Sequence, residues 1–243
     1  AEGVKFLLDA LNTFIHWVEQ LPYASIDGIW LYQLEVLGLY LSGGLVFYYF
    51  ASRGLKNLLI CLFSILLLGV YHVSMSWVDR PLDSIVFYNV RGCPAVHCLD
   101  NNGNSRIVYG DSLSDKRQLY RVATNYWNHH QLLSPLEVTA DYQDTALCCR
   151  EQILSYHGRR ICMVTDHRWR NKSAATPLYI DYLYLCKGYN GHLKELRLLF
   201  APECIILDAS LSEHRKQLFE EECKQSGLRF ISLSEKGSVR FLL

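Results

Sequence analysis

Two apolar runs in the first third of the chain limit its architecture more than anything that follows. Ile29 to Phe50 (IWLYQLEVLGLYLSGGLVFYYF) and Leu55 to Met75 (LKNLLICLFSILLLGVYHVSM) each supply the roughly 20 residues that an α-helix needs to cross a hydrocarbon core. Length and composition favour membrane spans over buried core helices. The first run carries Gln33 and Glu35, an i, i+2 pair that cannot share one helix face. An ionisable group in a span either looks into a bundle or wet cavity, or reaches the headgroups from near a helix end, and Glu35 admits both readings. Gly43-Gly44 offers a place for close helix packing or a kink. The short loop between the runs, ASRGLK, holds Arg53 and Lys56 and no acid, which favours a cytoplasmic loop and puts everything after Met75 on the outer side.

Upstream, residues 4–21 (VKFLLDALNTFIHWVEQL) repeat apolar side chains with the period of an amphipathic helix, stopped by Pro22. Such a helix lies along a membrane surface or against neighbouring spans. Two spans and one surface helix make no pore, so a transport path requires further sequence. The opening AEGVKF lacks an initiator Met and a signal-peptide pattern, and reads as a piece of something longer.

From Arg80 onward the pattern changes to short β-rich runs separated by turn chemistry. SIVFYNV (84–90), AVHCL (95–99) and RIVYGD (106–111) read as strands, with an Asp-Asn-Asn-Gly turn between the second and third. The segment KRQLYRVATNYWNHH reads as a helix closed by His129 and His130, where cations suit the dipole. QILSY and RRICMVTD form a hairpin at His157-Gly158. The remainder alternates: strand YIDYLYL, helix about 193–200, strand CIILDA, helix 213–226, strand RFISL, a turn at Lys236-Gly237 and strand SVRFLL. Hairpins followed by β-α-β-α-β predict a layered α/β domain over 80–243, after a membrane segment over 1–79.

Composition adds exclusions. Lys+Arg 24 balance Asp+Glu 24 over 243 residues, so no global basic field announces a nucleic-acid partner, although a local groove can hide in a neutral total. None of the nine cysteines stands in a CxxC pair, and most lie in apolar runs as small buried hydrophobes do. Disulfides stay open for an exported domain.

The order of elements and several strings resemble the C-terminal part of the ComEC family of bacterial competence proteins. SIVFYNVRGCPAVHCLDNNGNSRIVYGD is similar to the opening of that family's metallo-β-lactamase-like domain, where a Val-Gly-Gln-Gly-Asp turn follows the first strand. LSYHGRRICMVTD is similar to a hairpin ending in Thr-Gly-Asp, and IDYLYLCKGYNG falls where the family has Gly-His-His-Gly. HWVEQLPYASIDGIWL is similar to the junction that ends the membrane competence domain. The resemblance implies an αββα metallo-β-lactamase-like fold behind an amphipathic helix and two transmembrane helices. It also implies a role in DNA uptake at the bacterial inner membrane, with the soluble domain on the outer face. The implied partners are the membrane, single- or double-stranded DNA, upstream membrane helices of the same protein and other competence components.

Catalytic members of the fold hold metal with His-x-His-x-Asp-His, a later Asp and a later His, because imidazole and carboxylate bind Zn²⁺ and leave a position open for water. Between Asp111 and Ile153 the only histidines are His129 and His130. Asp111 and Asp166 stand at vestigial ligand positions, and the paired histidines are replaced by Lys187 and Gly188. An ammonium offers donors only. The resemblance with these departures predicts no metal, no cofactor and no hydrolysis, with an active metal-dependent nuclease using Asp166 as one alternative and a pure scaffold on the membrane channel as another. A second metal site drawn from His129, His130, His157, Asp166, His167 and Asp208, or a Cys186-His192 nucleophile, has the residue types but no supporting spacing. The glycines of CKGYNG serve either a small anion site or a tight turn. Candidate DNA contacts are Arg159, Arg160, Arg168, Arg170, Lys172 and Lys187, with Trp169, Tyr126 and Trp127 as stacking groups.

Overall fold

A computed structural model describes residues 2–19, 30–110, 115–130, 132, 134–138 and 141–243. The chain divides into two compact units, Ala1–Val73 and Ser74–Leu243.

The first unit holds α1 (Glu2–Glu19), α2 (Gln33–Ser52) and most of α3 (Leu55–Val78). The expected stop at Pro22 and the expected start of the first span at Ile29 lie outside the described residues. Helix α2 begins at Gln33, where the Glu35 carboxylate accepts the Tyr32 backbone N–H at 2.9 Å, satisfying one of the donors that a helix start leaves unpaired. It ends at Arg53 in the left-handed region (φ 45), and α3 leaves in the opposite direction as its neighbour. Ser64 Oγ meets Ser42 Oγ at 3.3 Å, and His72 Nδ1 meets Glu35 Oε1 at 2.8 Å. Glu35 is 3 % exposed, so of its two sequence readings the structure takes the inward one. The close helix approach is at Gly38, where a Cβ would stand 2.3 Å from Leu68 Cδ2. At Gly43-Gly44, the pair singled out in the sequence, a Cβ would meet nothing within 4 Å. Both α2 and α3 are long and apolar enough to cross a membrane, and their outer faces bare Leu37, Phe47, Phe63 and Leu66.

In the second unit the elements are β1 (Ser84–Phe87), β2 (Ala95–Leu99), β3 (Ser105–Tyr109), α4 (Lys116–His129), β4 (Leu136–Val138), β5 (Tyr142–Gln143), β6 (Leu147–Arg150), β7 (Ile153–Tyr156) and β8 (Arg159–Val164). They continue with β9 (Leu178–Leu185), α5 (Leu193–Arg197), β10 (Phe200–Leu207), α6 (Glu213–Ser226), β11 (Arg229–Ser232), α7 (Leu233–Lys236) and β12 (Val239–Leu242). A five-stranded sheet runs β12-β1-β2-β3-β4 and a seven-stranded sheet runs β11-β10-β9-β8-β7-β6-β5. Strands β8 to β11 are mutually parallel, and the hairpins are antiparallel.

The layering follows from the two-residue period of strands whose faces are both covered. Ile85 and Phe87 of β1 pack in one core with Met163, Tyr184 and Ile206 of the other sheet. Their neighbours Val86 and Tyr88 pack with Leu119, Ala123 and Trp127 of α4. On the seven-stranded sheet, Leu183, Leu185 and Leu207 pack with Leu193, Leu196, Phe219 and Cys223 of α5 and α6. The layers therefore run helix, sheet, sheet, helix.

Three details differ from the sequence reading. The helix expected over 193–200 ends at Arg197, and Phe200 already opens β10. Pro202 is tolerated there because pairing with β11 starts only at Cys204. Leu233 turns into α7 instead of extending β11, and the short strands β4 to β6 add to those the sequence predicts.

Candidate functional site

The parallel register levels the ends of three strands. Val164 pairs with Leu185, and Leu185 with Leu207, so the loops opening at Thr165, Cys186 and Asp208 emerge side by side. Ligands of open parallel sheets gather at this carboxyl end. The other sheet contributes the turn between β1 and β2, tied across by the Gly92 N–H donating to Ser210 Oγ at 2.6 Å. A cleft of about 590 Å³ opens between these loops and the first turns of α4 and α6, with Arg91, Gln118, Lys187, Asn190, Ser212 and Arg215 in its walls.

The residues expected at vestigial ligand positions do not fit a metal. Asp166 is held by Arg168, whose backbone N–H donates to Oδ1 at 2.9 Å and whose Nε donates to Oδ2 at 2.9 Å. Lys187 is exposed, and Gly188 has φ 116. A Cβ at Gly188 would lie 2.2 Å from the Thr165 carbonyl oxygen, so the loop has no room for a ligand side chain there. Asp208 is 1 % exposed, accepting the Tyr184 hydroxyl on Oδ1 at 2.5 Å and the Ser210 N–H on Oδ2 at 2.9 Å. Burial raises its pKa. Among the described residues no group of three His, Cys, Asp or Glu is placed to hold a metal ion. Asp111 lies outside the described residues.

The remaining histidines are scattered. His130 Nδ1 hydrogen-bonds the Asp79 carbonyl at 2.9 Å and His129 Nε2 lies 3.9 Å from the Asp79 carboxylate, both at the end of α4. His157 occupies the β7–β8 turn with φ 45. His167 faces the Tyr189 ring at 6.1 Å. Cys186 is fully buried, and burial pushes its thiol well above the ordinary range, which removes the thiolate a nucleophile needs. His192 Nδ1 meets Glu222 at 2.6 Å instead.

Of the basic candidates, the structure sets only Lys187 in the cleft wall. Arg159 and Arg160 open β8, about 20 Å of strand away from its Asp166 end. The Asp181 carboxylate accepts Arg159 Nη1 at 2.6 Å and the Arg160 N–H at 2.8 Å. Arg170 Nε lies 3.8 Å from Glu195. Trp169 packs edge-on against Phe200 at 5.3 Å, with the Lys172 ammonium 5.4 Å from its centroid. Trp127 is a core residue donating Nε1–H to the Tyr88 hydroxyl at 2.9 Å, and Tyr126 packs against the same cluster.

Sequence reading missed Arg91, Arg215, Ser210 and Ser212. Arg91 is a single cation in a turn and Arg215 a single cation in a helix start. Only the tertiary pairing of the β1–β2 turn with the β10–α6 loop unites them.

The family model described as the ComEC C-terminal domain matches residues 85–243. No curated protein and no solved structure matches the chain.

Proposed function

The chain belongs to the ComEC family through its C-terminal domain, and on that premise we propose that it is part of an inner-membrane protein for DNA uptake. Its layered domain is a metallo-β-lactamase-like scaffold on the outer face of the membrane that guides DNA without hydrolysing it. One observation carries this reading. The loop where the family's catalytic members place paired histidines holds Lys187 and Gly188, and the Gly188 backbone is pressed so close to the Thr165 carbonyl that no side chain fits. Asp166, the carboxylate at the neighbouring position, is paired with Arg168. Among the described residues these positions offer no group to ionise an attacking water, whereas an exposed ammonium suits a phosphate backbone. The two membrane-length helices support attachment of the domain to a bilayer.

Detergent-solubilised chain, supplied with Mn²⁺ or Zn²⁺ and labelled single- and double-stranded DNA, tests the proposal. The expected result is binding that weakens as salt rises, with the DNA intact. Metal-dependent cleavage abolished by Asp166→Ala would replace this reading with a nuclease. Absence of DNA affinity at low salt would leave only a scaffold packed on the membrane channel.

A further inference from the structure

The cleft at the carboxyl ends of β8, β9 and β10 collects three cations and no carboxylate among its described lining residues. Lys187 and Arg91 are exposed, one on the loop after β9 and the other on the turn between β1 and β2. Arg215 is half-buried and fixed: Nη2 donates to the carbonyls of Gly191 at 2.6 Å and Tyr189 at 3.3 Å, and the guanidinium lies 4.8 Å over the Phe219 ring. Its Nε is buried with no acceptor among the described residues. Of the described acids around the cleft, Glu195 lies beside Gly191 with Arg170 Nε 3.8 Å away. Asp166 is closed by Arg168, and Asp208 is turned into the core toward Tyr184 and Ser210.

Cations facing one concavity with no carboxylate among its described lining residues repel one another, and the low-dielectric walls focus their field. Ser212, the N-cap of the fourteen-residue α6, lies in the same wall, and a helix start of this length adds partial positive charge. Neutral amide groups of Gln118 and Asn190 complete a wall that offers donors to an oxyanion. The volume of about 590 Å³ exceeds what one phosphate occupies and leaves room for an attached sugar.

We propose that this cleft is a phosphate site, in which Arg215 is a prepositioned donor and Arg91 and Lys187 close on the oxygens of one phosphodiester or phosphomonoester group. For a DNA ligand this rests on the guiding role proposed above; for the phosphate group itself it stands apart from that role.

The test uses the full chain in detergent at low salt with two kinds of probe. Inorganic phosphate is followed by calorimetry, and a short oligothymidylate, with and without a 5′-phosphate, by fluorescence anisotropy. Arg91→Ala/Lys187→Ala is expected to weaken both about tenfold, the scale of lost charge-assisted hydrogen bonds. It is also expected to lower the salt slope of oligonucleotide binding by about 1. Arg160→Ala, at the far end of β8, should leave phosphate binding unchanged. Both substituted cleft residues are exposed, and an unchanged unfolding transition verifies the fold. A preference for the 5′-phosphorylated probe identifies an end-binding site, and equal binding of the two probes identifies an internal phosphodiester; either supports the proposal when it is lost in the double variant. If wild type binds no phosphate and the double variant holds the oligonucleotide as tightly as wild type, the cleft proposal falls while DNA guiding stands. If phosphate binds and is lost in the variant but no oligonucleotide binds, the cleft stands and DNA guiding falls.

Discussion

The two ends of the seven-stranded sheet treat their charges in opposite ways. At the end where β8 and β9 begin, Asp181, 5 % exposed, draws in the Arg159 guanidinium and the Arg160 N–H. At the end where β9 and β10 finish, the buried acid is Asp208, and its partners are a tyrosine hydroxyl and a backbone N–H. One end neutralises its cations locally, which holds structure together. The other end buries its carboxylate away from the cations and leaves Arg91, Lys187 and Arg215 facing a cleft. A cation's neighbours across the sheet, more than its presence in the sequence, decide whether its charge can serve a ligand.

The largest effect is expected from Gly188→Ala at the cleft end. The φ of 116 and the 2.2 Å approach of a Cβ to the Thr165 oxygen combine backbone strain with a clash against main chain. Together these amount to about 3 kcal/mol. The measurement is thermal unfolding of the full chain in detergent. An unchanged midpoint would mean that the loop relaxes freely, and that Lys187 is not held where the cleft needs it. Restoring the family's paired histidines at 187 and 188 should fail to create a metal site for the same reason.

Next comes Asp181→Ala at the opposite end. It strips acceptors from the Arg160 N–H and from a guanidinium half open to water, a loss of about 2 kcal/mol for orphaned donors. Asp181→Asn, which keeps one acceptor, should lose less. Phosphate binding should not move in either variant. If it does, the two ends are coupled and the contrast between them is weaker than their geometry implies.

How much of this was readable beforehand depends on whether the signal was local. Helix α6 was legible to the residue because Ser212 caps its start and Gly227 ends it. The β7–β8 hairpin followed from its His-Gly turn. Strands β4 to β6 escaped because they are two to four residues long and carry no alternating pattern. Phe200 falls in the helix expected over 193–200 yet opens β10, a strand whose third residue, Pro202, is a type seldom found inside strands. At the site, Lys187-Gly188 stood out through the resemblance of IDYLYLCKGYNG to the family's strand followed by Gly-His-His-Gly. Arg159 was read as available because its partner lies on another strand. The single acid inside YIDYLYL was the missed clue, since a carboxylate in a strand with both faces covered needs a donor close by.

Asp208 gives a pH signature. Burial raises its pKa in the folded state. Its contribution to stability is therefore fully present below the ordinary carboxylate range and is lost as pH rises through the raised folded value. Asp208→Asn should flatten the decline over that window. A wild-type stability that rises across the same window would show instead that the carboxylate gains a cation in the folded state, as Asp181 does.

The smallest effect on folding should come from the residues with the largest effect on binding. Arg91 and Lys187 are exposed and have no acid partner among the described residues, so their removal deletes no ion pair there and relieves mutual repulsion. Arg91→Ala/Lys187→Ala should shift stability by no more than about 0.5 kcal/mol, as for ordinary surface substitutions. Any gain should appear at low salt and vanish as the Debye length falls below roughly 10 Å. A loss above about 1 kcal/mol would mean that these cations hold the loops together as Arg159 does at the other end. The charge would then be structural at both ends of the sheet, and the cleft would have none to offer a ligand.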